Sequence, residues 1–287
     1  MPIHLPIVSP WESESPKRPI ETVRSFAGKR AKGKICHGDA IEFLRSLKRE
    51  TADIIFLDPP FNLGKVYDEA AKRLDKKREK DYVRWMEDVL DECIRVLRPG
   101  GALYLYHVPR RALLFGAYLM EHLAFQHWIA VSMKNGFVRG RRLYPAHYAL
   151  LFFTKGTPRR LRRPKVKPAL CRHCKKQIKD YGGYAGIIAR NKGVNLTDFW
   201  EDLAPVRHAK FKTRAANELP GLMTRRIIEI SGIKDGVFVD PFAGSGSAII
   251  NAVNGHMRFV GCDIVSKNCS LIVDRIVTEV KQNRGTR

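Results

Sequence analysis

Ala52-Asp53-Ile54-Ile55-Phe56-Leu57-Asp58-Pro59-Pro60-Phe61 is the stretch that decides how this chain of 287 residues is read. Its first half is apolar and β-branched, the pattern of a strand buried on both faces in a parallel sheet. Two prolines cannot continue the sheet, so the chain turns at Asp58 and holds its polar groups outward. In open α/β sheets ligands bind beyond the carboxyl ends of strands. A carboxylate, a backbone carbonyl and an aromatic face at one such tip can grip the exocyclic amine of a planar base. The same four residues also make an ordinary strand end, so a second motif has to decide.

Around this stretch the elements alternate. A strand is expected over residues 33–37, a helix over 40–49, a polar loop over 62–80 and a helix over 81–97 that stops at Arg98-Pro99-Gly100-Gly101. A strand over 102–106, a helix over 110–123 and strands near 127–134 and 147–153 complete a first block. Order returns with a helix over 219–231, a strand over 237–239, a helix over 247–253, a strand over 258–262 and a last helix over 267–281. Such alternation predicts an α/β fold with a doubly wound, mostly parallel sheet.

The charge points to a polyanion. Fifty-two Lys and Arg against 29 Asp and Glu leave a formal +23, and self-repulsion of that size is relieved by nucleic acid. Arg159, Arg160, Arg162, Arg163 and Lys165 follow one another, with Arg139, Arg141 and Arg142 upstream. Acids are not interspersed, as they would be on a merely solvated face. No stretch is long and apolar enough to span a bilayer, and residues 1–15 lack a secretory pattern, so a cytoplasmic protein with no membrane partner is expected. Six scattered cysteines read as reduced thiols. Cys171 and Cys174 are half of a zinc knuckle, but no second pair follows at ribbon spacing. His208 is the nearest later histidine, one ligand would still be missing, and no metal is expected.

The second motif is Asp240-Pro241-Phe242-Ala243-Gly244-Ser245-Gly246-Ser247, between an expected strand and helix. Small residues at such a turn let a ligand approach the backbone, and the helix start offers unpaired N–H groups. No Lys-Ser/Thr pair follows Gly246, which disfavours a phosphate loop, and the three-glycine dinucleotide fingerprint is absent. Asp263, after the next strand, stands where an acid binds a ribose hydroxyl. A carboxylate-bearing cofactor with an adenosine suits this turn.

Together, Asp58-Pro59-Pro60-Phe61 and Asp240-Pro241-Phe242-Ala243-Gly244-Ser245-Gly246 resemble the catalytic and cofactor motifs of S-adenosylmethionine-dependent DNA amino-methyltransferases. Their order, with a basic insertion between, resembles the circularly permuted β class of these enzymes. The resemblance runs from about Lys34 to the end. It implies four regions: a basic, partly irregular arm (1–31), a catalytic half (32–154), a basic target-recognition insertion (155–194) and a cofactor-binding half (195–287). It makes Asp39 the acid that meets the cofactor adenine. Ala215-Ala216-Asn217-Glu218-Leu219-Pro220 departs from the His-Pro-Thr-Gln-Lys-Pro stretch of many members, and Asn217 and Glu218 take its place beside the cofactor.

The resemblance further implies S-adenosyl-L-methionine as cofactor, double-stranded DNA as substrate and nucleoid association through it. A homodimer, and a cognate restriction endonuclease for members of restriction–modification pairs, are the other partners it suggests. Asp58 and the Pro59 carbonyl would accept the two N–H groups of a flipped base, with Phe61 stacked on it. The acidic first letter favours N6 of adenine, since cytosine-amino relatives mostly begin this motif with serine. The loop over 62–80, with Gly64, Lys65 and Tyr67, is placed to close over the base, and a plain surface loop is the alternative. The arginine clusters would hold phosphates, while Lys175, Lys176, Tyr181 and Tyr184 could reach base edges. The alternatives are an N4-cytosine enzyme, an RNA adenine methyltransferase, and a nucleic-acid-binding module on a relic fold.

Overall fold

The computed structural model describes residues 19–62, 77–132, 146–168, 170, 173–174, 185–203 and 219–282. A nine-stranded sheet runs β1 (Glu21–Ala27), β2 (Lys32–His37), β11 (Arg258–Asp263), β10 (Val237–Asp240), β3 (Ala52–Leu57), β4 (Leu97–His107), β6 (His147–Thr154), β5 (Ala124–Ser132) and β9 (Phe199–Trp200), in that spatial order. From β2 to β4 every neighbouring pair is parallel. β1 and β6 run against their neighbours. β3 and β10 are adjacent although the cofactor half begins far downstream, so the two motifs meet at the centre of the sheet.

Alternation along β3 sorts the core. Ile54 and Phe56 join one apolar cluster and Ile55 and Leu57 the other, as a period of two demands, while Ala52, across the register shift that separates it from Ile54, falls with Ile55 and Leu57. The first cluster is closed by α5 (Gly221–Ser231), α6 (Ser247–Asn254) and α7 (Ser266–Gln282). The second is closed by α1 (Ala40–Ser46), α2 (Glu79–Val96) and α3 (Pro109–Met120). α4 (Ala185–Arg190) and the two-stranded ladder of β7 (Lys165–Val166) with β8 (Val194–Asn195) lie outside the main sheet.

Three local readings change. Residues 21–27, expected to be irregular, form the edge strand β1. Six of its seven residues are exposed, so it carries no burial pattern to betray it. Phe199 and Trp200, expected to lead into the cofactor half, instead add β9 alongside β5. The expected strand over 102–106 starts earlier, at Leu97, because the Arg98-Pro99-Gly100-Gly101 turn is itself part of the ladder edge.

The amino ends of the central strands are braced by Asp53. Its Oδ1 accepts from Arg98 Nη1 at 3.1 Å and Arg159 Nη1 at 2.7 Å, and its Oδ2 from the Val237 N–H at 2.7 Å. One buried carboxylate thus ties β3, β4, β10 and the segment leaving β6. Among the described residues no helix is long and apolar enough to cross a membrane.

Candidate active site

Four adjacent strands, β2, β11, β10 and β3, deliver aspartates to the carboxyl edge of the sheet: Asp39 just past β2, Asp263 and Asp240 closing β11 and β10, and Asp58 just past β3. Strands lie ~4.8 Å apart, so the row spans ~14 Å. Asp58 and Asp240 line one open cleft with Phe56, Leu219, Phe242, Ala243, Gly244, Ser245 and Ser247. The catalytic and cofactor motifs of the sequence therefore share a cavity.

The cofactor turn is held from behind. Gly246 has φ +80° and caps α6, and a Cβ there would lie 2.7 Å from Ile272 Cγ1. Arg275 Nη1 donates to the Ser245 carbonyl at 2.5 Å. Pro241 is buried, and Phe242 packs edge-on against Trp85 of α2. Asp263, expected to meet a ribose, has its carboxylate engaged. Oδ2 accepts from the Gly244 N–H, and Oδ1 accepts from the Val265 N–H and Asn268 Nδ2. Asp263 does not itself line the cleft, and these bonds anchor the turn. Asp39 caps α1 through Oδ1, accepting from the N–H groups of Ile41 and Glu42, and Oδ2 makes no bond among the described residues.

Phe61 departs from its expected role as an open stacking face. It is buried, with its ring stacked 4.6 Å from that of His107 and tilted against Tyr106 and Tyr148. Tyr106 and Tyr148 flank Asp58: burial and then the Asp58 charge push both phenol pKa values up. Beyond this cluster a relay fixes the Asp58 loop. The Val108 N–H, which can only donate, gives its hydrogen to His107 Nδ1 at 2.8 Å. Burial, then the Arg111 charge, pulls the His107 pKa down to about 3, so the ring is neutral and its proton is on Nε2. That N–H donates to Tyr82 Oη at 2.7 Å, and Tyr82 donates to the Pro60 carbonyl at 2.7 Å. Arg111 lies over the Tyr82 ring and pairs with Glu79. The Pro60 carbonyl is thus committed, while that of Pro59 receives no bond among the described residues. Asn62 exchanges two hydrogen bonds with the Lys77 backbone.

Sequence reasoning missed Tyr82, Tyr106, His107 and Tyr148. A polar residue at the carboxyl end of the strand next to Asp58 was the one signal, and it pointed to His107.

The expected phosphate contacts divide. Arg159 is bonded to Asp53 at the amino ends of the strands, the far end of the sheet from Asp58. Arg160, Arg162 and Arg163 follow it there, with the Arg162 N–H on the Ile230 carbonyl at the end of α5. The antiparallel course of β6 carries the chain to that end, away from Asp58. Lys165 lies in β7 and donates to Asn195. Arg139, Arg141, Arg142, Lys175, Lys176, Asn217 and Glu218 lie outside the described residues, as do Gly64, Lys65, Tyr67, Cys171, Tyr181, Tyr184 and His208. The segment holding Arg139 leaves from β5 and returns to β6 at the Asp58 end. Cys174 is an exposed free thiol.

A family model described as DNA methylase matches residues 52–274. Type II methyltransferase M.BamHI of Bacillus amyloliquefaciens is 40% identical over 253 residues, covering 88% of this chain and 59% of the relative's length. Among solved structures, the cytosine-N4-specific PvuII DNA methyltransferase aligns with a TM-score of 0.59 at 14% identity, covering 84% of this chain and 85% of that one. The M1.HpyAVI–SAM complex aligns at 0.51 and 18% identity, covering 84% and 98%. These two likenesses show the fold.

Proposed function

Because the chain belongs to the DNA methylase family, we propose that it methylates the N6 amine of a flipped adenine in duplex DNA, using S-adenosyl-L-methionine. The observation that carries this reading is the single cleft lined by both Asp58 and the turn from Asp240 to Ser247. The row of strand-tip aspartates supports this cofactor on electrostatic grounds. A ligand bearing a sulfonium and an ammonium gains from four carboxylates, whereas a pyrophosphate is repelled. Bound there, the cofactor supplies an electrophilic methyl group. Asp240 and the Ala243–Ser247 turn would hold its methionine end, and Oδ2 of Asp39 is the acceptor for its adenine amine.

Asp58 and the Pro59 carbonyl accept the two N–H groups of the substrate base. This draws the nitrogen lone pair out of the ring and toward the cofactor side of the cleft. Transfer releases one amine proton, and Asp58 is the base beside it. Proximity and alignment account for much of the barrier reduction, so the geometry of the Asp58 loop matters more than its basicity. The role of Phe61 is to hold His107 and the two tyrosines as one aromatic wall. Tyr148, half-buried beside Asp58, offers the stacking surface. Arg139, Arg141 and Arg142 would reach phosphates from a segment that begins and ends at the cleft side. Lys175 and Lys176 remain the residues assigned to base edges.

Transfer of labelled methyl to duplex DNA, followed by nucleoside analysis, tests this reading. N6-methyladenine is the expected product. N4-methylcytosine would keep the amine chemistry but overturn the choice of base, and label in RNA alone would overturn the polymer.

A further inference from the structure

Arg98, Arg159, Arg160, Arg162 and Arg163 stand on the segments at the amino ends of the strands, where Arg98 and Arg159 share Asp53 and Arg160 lies near enough to Arg162 to feel its charge. Among the described residues Asp53 is the only carboxylate bonded to any of them, and it takes Arg98 and Arg159 together. Arg160, Arg162 and Arg163 have no acidic partner there. Partial burial and the like charge of Arg162 lower the Arg160 pKa, and its Nε is buried with no hydrogen-bond acceptor. Adjacent like charges are unfavourable alone and are relieved by an anion.

The catalytic cleft cannot share that anion. Asp53 and Asp58 are five residues apart on one strand, which places the arginines ~17 Å below the catalytic carboxylate at the opposite edge of the sheet. A duplex with a base in the cleft lies across the carboxyl ends. DNA stays nearly straight over tens of base pairs, so the same segment does not fold round to the other edge without a large bending cost. We infer that Arg160, Arg162 and Arg163 form a second DNA-backbone surface, which holds a separate duplex segment while the cleft engages its target. The inference rests on the DNA reading of the cleft. It gives the protein two polyanion contacts facing away from each other, the arrangement that lets an enzyme pass directly between DNA segments.

The test uses the full chain and ~20-base-pair duplexes, about two helical turns each, one population carrying a donor dye and the other an acceptor. Wild-type protein is expected to bring donor and acceptor together. R160Q/R162Q/R163Q, which leaves the Asp53 brace intact, is expected to lose that signal. Its methyl transfer to the same duplexes at low salt should stay within about twofold, and its binding to long DNA should show a log–log salt slope smaller by about 2–3, near −0.9 per lost phosphate contact. An unchanged dye signal in the triple variant, or none with wild-type protein that still methylates DNA, overturns the inference. Wild-type protein that neither binds nor methylates duplex DNA overturns the cleft reading instead. Displacement of the second duplex by single-stranded RNA in preference to DNA overturns the choice of DNA for this surface.

Discussion

Tyr82→Phe removes one oxygen from the relay that runs from His107 through Tyr82 to the Pro60 carbonyl. The consequences differ at its two ends. His107 is fully buried and neutral with its proton on Nε2, so loss of Tyr82 Oη leaves that N–H with no partner. An orphaned buried donor costs about 1–3 kcal/mol. Pro60 is half-buried, so water can replace the lost bond there and the cost is nearer 0.5–1 kcal/mol. The sum, about 1.5–4 kcal/mol, is small against a typical stability of ~5–15 kcal/mol, so the variant folds. Pro60 lies between Pro59, whose carbonyl is a proposed acceptor for the substrate amine, and Phe61. A displacement of about 1 Å in such a loop costs on the order of 100-fold in rate.

Thermal unfolding, calorimetric titration with S-adenosyl-L-methionine and single-turnover methyl transfer to DNA separate the effects. The expected result is a lowered midpoint, a cofactor Kd within about twofold and a methyl-transfer rate reduced roughly 10–100-fold. Adding His107→Phe removes the orphaned donor. Stability is then expected to recover only in part, because two apolar groups of similar shape replace a bonded pair but the half-buried Val108 N–H loses its acceptor at His107 Nδ1, while the rate stays low. A rate within twofold of wild type in either variant would refute the positioning argument. An unshifted midpoint in Tyr82→Phe would refute the tautomer deduced for His107.

Asp58→Ala is expected to abolish methyl transfer with the cofactor Kd nearly unchanged, and undiminished transfer would sink the proposed role of Asp58. Gly246→Ala forces an L residue into φ +80° and a methyl within 2.7 Å of Ile272, so a loss of about 2 kcal/mol in thermal or denaturant unfolding is expected. Cofactor binding should weaken about tenfold in the same variant. Asp53→Ala unpairs the Val237 N–H and two guanidiniums, and a loss of about 3 kcal/mol is expected, whereas Asp53→Asn can keep one of those bonds and should cost less. His107 also sets a pH dependence. Its folded pKa of about 3 lies below the ordinary 6.5, so the unfolded chain binds the extra proton first and stability falls as pH drops below about 6.5. The loss by pH 5 is about 2 kcal/mol at ~1.4 kcal/mol per pH unit, and His107→Phe should lack that component of the slope.

The alternation of strands and helices was legible because each element carries its own period, and the two motif turns because proline and glycine act locally. Asp58, Asp240 and the turn to Ser247 could thus be picked out before any contact was known. What stayed hidden depends on partners far apart in the chain. Tyr82 and His107 are 25 residues apart, and Arg159 and Asp53 are 106. No local pattern marks either pair. β1 was missed for the opposite reason: an edge strand with one half-buried residue has no buried face to repeat.

Strand direction decides where the basic run emerges. Residues 147–153 were legible as a strand, but period alone cannot say which way it runs. Had β6 been parallel to β4, the arginines that follow would have emerged beside Asp58. Because it is antiparallel, Ala102 pairs with Thr154 and the basic run leaves from the amino end. The same reversal separates the molecule's charges. Acids collect at the tips of four parallel strands, where the proposed cationic cofactor would be favoured and DNA phosphates repelled unless the loops at that end counter them. Guanidiniums collect at the other edge, where among the described residues Asp53 is the only carboxylate bonded to them. A net charge of +23 therefore does not act as a uniform attraction toward DNA. It leaves an acidic cleft that needs basic loops around it to approach a duplex, and a basic far edge free to hold one.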